Sequence, residues 1–137
     1  MYKKIMVPVD LTHIEKLQKA IDTATDLAKH YGLPVCFVGV TAEPPTEVAH
    51  TPEEYEEKLR AFGAAQSAAH GLAIETAAYP SHDPAVELNK TLIKAAEDKG
   101  ADLIVMASHV PGLAEHMFTS HAGAVASHAK ISVFVIR

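Results

Sequence analysis

The chain is poor in cysteine, in positive charge and in long apolar runs, and each shortage removes a class of protein. Cys36 is the only cysteine, so an internal disulfide is excluded. Its place in an apolar run marks it as a buried structural thiol, which suits a reducing compartment. Twelve basic residues stand against 17 acidic ones, a formal charge of −5 with the nine histidines neutral. Such a surface repels a nucleic-acid backbone or an anionic membrane, and neither is expected as a partner. The first apolar stretch, residues 5–9, is too short for the core of a signal peptide and far too short to span a bilayer. The expectation is a cytoplasmic protein, mature from Met1 and with no membrane insertion.

What remains is ordinary globular composition: 137 residues, 48% apolar and 21% charged. That length suits one domain, 1–137, with a single core. Residues 5–9 form a short apolar run typical of a buried strand. Leu17, Ala20, Ile21, Ala24, Leu27, Ala28 and Tyr31 then share one helical face up to Gly32. A second apolar run at 35–40 has the continuity of a strand buried on both faces. Thr51-Pro52-Glu53-Glu54 supplies an N-cap, a first-turn proline and a capping-box glutamate for a helix from 52 to about 69. Its alanine-rich stretch, 61–69, is read as a close-packing face.

Gly71 ends that helix. A weaker strand at 72–79, carrying Glu75 and Thr76, suits a sheet edge. Asp83-Pro84 opens a third helix with Val86, Asn89, Leu92, Ile93 and Ala96 at helical spacing up to Gly100. A strand at 102–106, a loop, a helix at 120–129 and a strand at 131–136 complete the chain. Five strands alternating with helices predict an α/β doubly wound three-layer sandwich with a mostly parallel five-stranded sheet, order 3-2-1-4-5.

In such sheets ligands bind beyond the carboxyl ends of the strands, where the strand order reverses. The first and fourth strands are the expected pair. Their ends carry Pro8-Val9-Asp10 and Met106-Ala107-Ser108-His109, and Val40-Thr41 ends the neighbouring strand. Asp10 is a single carboxylate suited to accepting hydrogen bonds from a ribose diol, or to capping the turn at Leu11-Thr12, or to both. Thr119 and Ser120 open the last helix, where free amides and the positive dipole end favour a phosphate. An ordinary helix cap is the alternative there.

The segment 103–109, Ser120, and the terminal strand ending Val135-Ile136-Arg137 resemble the universal stress protein family, as do Val7 to Asp10 and Asp83-Pro84-Ala85-Val86. The resemblance covers the whole chain. It implies ATP or AMP as ligand, with or without Mg²⁺. Asp10 would hold the ribose, the Val40 backbone the adenine edge, and Ala107, His109, Ser120 and His121 the ribose and phosphate region. The Ala-Ser-His loop is similar to that of a bacterial subgroup, in which Arg-Pro follows.

This chain departs from the family's glycine motif. Ala107, Val110 and Thr119 occupy the three glycine positions, the spacer is one residue shorter, and Val110 stands where the subgroup has arginine. Neither Lys nor Arg occurs between Ala101 and Ala129, so the expected nucleotide binding is weak. His109, His116, His121 and His128 crowd this region, but no Cys or carboxylate cluster joins them, and a metal site is not expected. His109 and His121 are the histidines expected to line the cleft.

The function expected is a nucleotide-binding sensor or regulatory module rather than an enzyme. The alternative is a nucleotide-free scaffold acting through dimerisation or partner binding. Pyrophosphatase or nucleotidyl-transferase chemistry would need a Ser-Gly-Gly or His-x-Gly-His motif, whereas Leu-Thr-His-Ile-Glu follows Asp10. The apolar last strand, 131–136, would leave an open sheet edge, and the resemblance implies a homodimer paired there.

Overall fold

The computed structural model describes residues 1–108 and 122–137, together with all side chains there except that of Ala85. The sheet runs β3-β2-β1-β4-β5 with every neighbour parallel. Its strands are β1 (Ile5–Pro8), β2 (Val35–Ala42), β3 (Ile74–Ser81), β4 (Leu103–Ala107) and β5 (Ser132–Ile136). The helices are α1 (Gln18–Tyr31), α2 (Pro52–His70), α3 (Pro84–Lys99) and α4 (Ala122–His128). Right-handed crossovers place α1 and α2 on one face and α3 and α4 on the other. Phe37 of β2 accordingly packs on Phe62 of α2, and α3 touches α4.

The central strands β1 and β4 are buried along their whole length, as their unbroken apolar character requires. β3 lies at one edge, where Glu75 and Thr76 fit, and β5 at the other. Each of α1, α2 and α3 ends on the expected glycine, Gly32, Gly71 or Gly100. Thr51 caps α2 by accepting from the Glu54 amide at 3.1 Å. Cys36 is fully buried, and that burial, with the Glu75 charge adding to it, pushes its thiol pKa up to about 11.

Some local expectations are corrected. A 3₁₀ segment, Leu11–Lys16, precedes α1, and Tyr31 at its far end is exposed. Glu54 reaches back to the His50 amide rather than to the cap residue itself. Asp83 makes no side-chain cap; Glu87 of α3 instead receives its amide and the Ser81 hydroxyl. Val86, placed on the apolar face by spacing, is 76% exposed, because the buried face of α3 is the one carrying Leu88, Leu92, Ala95 and Ala96, and Val86 lies well round the helix from it. The alanines at 61, 64, 65, 68 and 69 are exposed too. Close approach of α2 depends on Gly63, where a Cβ would fall 2.4 Å from the Thr76 methyl. Among the described residues no helix is long and apolar enough to cross a membrane.

Candidate functional site

β1 and β4 pair through Ile5–Leu103 and Met6–Ile104 only, whereas β1 and β2 stay paired to Pro8–Val38. Beyond the carboxyl ends of β1 and β2 opens a cleft of about 120 Å³. Val9, Asp10 and Thr12 contribute from the end of β1, and Val40, Thr41 and Ala42 from β2. Thr46 and Val48 of the following loop, Tyr55 of α2 and Pro84 of α3 close it. Among the described residues this cleft is lined from the first and second strands; the chain that follows the fourth strand, 109–121, where the other half of the expected site falls, lies outside them.

Asp10 sits where β1 gives way to the 3₁₀ segment. Its Oδ1 accepts from the Thr12 amide at 3.0 Å, and its Oδ2 lies 3.2 Å from His13 Nδ1. The capping role is thus real, and it fixes the carboxylate at the cleft. An ionised carboxylate is an acceptor-only group, so what it offers the cleft is negative charge and acceptor oxygens. The loop wall is held in place as well. Thr46 Oγ1 accepts from the Val48 and Ala49 amides, each at 3.3 Å, and Lys58 of α2 donates to the Val48 carbonyl.

Tyr55 follows from the Thr51 cap, which sets the first turn of α2 over the end of β2. A Cβ on Gly39 would lie 2.3 Å from the Tyr55 hydroxyl oxygen, so the ring depends on the missing side chain there. Burial raises the Tyr55 pKa, and the Asp10 charge raises it further, so the phenol stays protonated and is a standing donor.

Of the residues expected at the site, the structure brings Val9, Asp10 and Val40 together. Pro8 is buried in β1 against Val38 and does not line the cleft. Met106 and Ala107 are buried in β4, paired with Val135 and Ile136, and Ser108 donates its amide to the Ile136 carbonyl at 2.8 Å. His109, Val110, Thr119, Ser120 and His121 lie outside the described residues, as does His116. Among the described residues no three metal-binding side chains gather. Thr41, named with Val40 at the strand end, lines the cleft too, whereas Thr12, Ala42, Thr46, Val48, Tyr55 and Pro84 were not anticipated there.

Comparison with known proteins agrees with this architecture. Universal stress protein G of Shigella flexneri is 29% identical over 148 aligned residues that span both chains in full. A universal stress protein crystallised with cAMP matches with a TM-score of 0.69 at 18% identity, over 99% of this chain and 97% of that one. The universal stress protein of Archaeoglobus fulgidus in complex with dAMP matches with a TM-score of 0.70 at 22% identity, over 99% and 98%. The universal stress protein family model itself matches residues 1–137, and on that match, with the sheet order and the cleft already in place, the chain belongs to the universal stress protein family.

Proposed function

We propose that the chain is a single-domain adenine-nucleotide sensor or regulatory module, 1–137, that binds ATP or AMP in the cleft beyond β1 and β2 and does not turn it over. The observation that carries this reading is the Asp10 carboxylate fixed at the mouth of that cleft beside the end of β2. A donor-rich ribose suits an anchored acceptor, and an adenine edge suits the free backbone at the end of a strand. Two relatives of the same fold are known with cAMP and dAMP. The described walls enclose less than the roughly 300 Å³ of a small-molecule site, so they form one part of the site proposed. Ala107, Ser108, His109, Ser120 and His121 are proposed for the phosphates.

Among the described residues Asp10 is the one carboxylate that lines the cleft, and His13 Nδ1 lies 3.2 Å from its Oδ2. Binding is expected to be weak, because Ala107, Val110 and Thr119 replace glycines and no Lys or Arg lies between Ala101 and Ala129. Histidine protonation would supply the missing positive charge, so affinity should rise below a pH of roughly 6.5. The setting proposed is the cytoplasm, in keeping with a free, buried Cys36.

A second reading, a nucleotide-free scaffold, is favoured by one observation: β5 is an edge strand with Phe134 44% exposed, a surface suited to pairing with a second copy. Calorimetric titration with ATP at pH 6 and pH 8, alongside a sizing column, tests both. Binding that tightens several-fold at pH 6 supports the sensor. No heat at either pH, from a protein that elutes as a dimer, overturns the sensor and leaves the scaffold.

A further inference from the structure

Tyr55 is 5% exposed and lines the cleft that holds Asp10. Its hydroxyl makes no hydrogen bond with any described residue, yet it is not among the atoms sealed inside the core. The hydroxyl end of the ring lies over Gly39, a donor with no hydrogen-bond partner among the described residues and with some solvent contact. A phenylalanine would fill the same space, whereas a bound acceptor would give the hydroxyl a partner.

Resting on the nucleotide reading, we propose that Tyr55 is a specificity-determining residue of the cleft, donating its hydroxyl hydrogen to an acceptor on the nucleoside part of the ligand. Asp10 accepts and Tyr55 donates, so the pair selects a ligand that presents donors and an acceptor on one compact unit. A ribose with its attached purine does so; an inorganic polyphosphate, acceptor-only, would meet Asp10 with like charge. Gly39 belongs to the same device, since any larger residue would drive the ring into the space the ligand needs.

The experiment compares wild type and Tyr55→Phe by calorimetry with ATP and with AMP, and by thermal melting without ligand. The expected result is a loss of roughly three- to tenfold in affinity, as for one neutral hydrogen bond. The loss should be equal for the two nucleotides, because the contact is to the part they share. Free Tyr55→Phe should melt at the wild-type temperature or above it. Equal affinities of wild type and variant overturn the Tyr55 role while leaving the nucleotide reading standing. A free variant that melts several degrees lower also overturns that role, by showing that the hydroxyl serves the fold. A wild type that binds neither nucleotide overturns both readings together.

Discussion

The two ends of the sheet are built on opposite terms. At the amino end, Asp102 accepts from the amides of Lys3 at 2.9 Å and Lys4 at 3.1 Å, while Lys4 Nζ reaches Glu75 at 2.9 Å and Lys99 approaches it at 3.4 Å. Those polar groups consume one another and tie β1, β3, β4 and the end of α3 into a clasp. At the carboxyl end, the Thr12 amide and His13 fix Asp10 at a cleft, and the Tyr55 hydroxyl, without a hydrogen-bond partner among the described residues, lines the same cleft. The lesson is that polar groups joined to each other across strands hold a fold, whereas polar groups fixed at the edge of a cleft can recognise a ligand.

Substitutions at the two ends should therefore separate binding from stability. The largest effect is expected from Asp10→Asn, which keeps an oxygen for the Thr12 amide but loses the charge. ATP affinity should fall by about tenfold or more, the worth of a charge-assisted hydrogen bond, with the melting temperature within about 2 °C of wild type. A fall in stability with unchanged affinity would reverse the assignment of the two ends. Asp102→Ala is expected to do the opposite: a loss of about 1 kcal/mol, read as a melting shift of roughly 3–6 °C, with ATP titrating as in wild type.

The smallest effect is in pH dependence. Burial alone would raise the Asp102 pKa, but the Lys3 and Lys4 amides outweigh it and hold the carboxyl below its usual range; Glu75 is held low chiefly by the Lys4 ammonium. A depressed folded-state pKa means that the unfolded chain takes up protons first as pH falls. The clasp therefore contributes fully above a pH of about 4 and is lost as pH drops through the folded values. Urea midpoints measured between pH 3 and 6 should fall on the acid side, less steeply in Asp102→Asn. An identical slope in the variant would place the acid sensitivity elsewhere.

Much of the architecture was legible in the sequence because it rests on signals that tertiary context reinforces. The unbroken apolar runs at 5–9 and 35–40 became central strands, and the polar residues of β3 marked its edge. Less was legible where packing chose between equivalent faces. Val86 has helical spacing with Asn89 and Ile93 but lies off the face of Leu88, Leu92, Ala95 and Ala96 that packs on the sheet, and among the small residues of α2 only Gly63 is buried. At the site, the rule that ligands gather at strand ends located Asp10 and Val40. It could not find Tyr55, which with Leu59 and Gly63 forms an evenly spaced buried stripe along α2. Nothing in that stripe tells a packing ring from one whose hydroxyl reaches a cleft; only the placement of α2 over Gly39 does.

The Ile136 carbonyl holds the Ser108 amide at 2.8 Å. The outermost strand of the sheet thereby holds the residue that follows β4 through backbone alone. Fraying of β5 at Ile136 would therefore release the Ser108 amide as well, with no side chain involved.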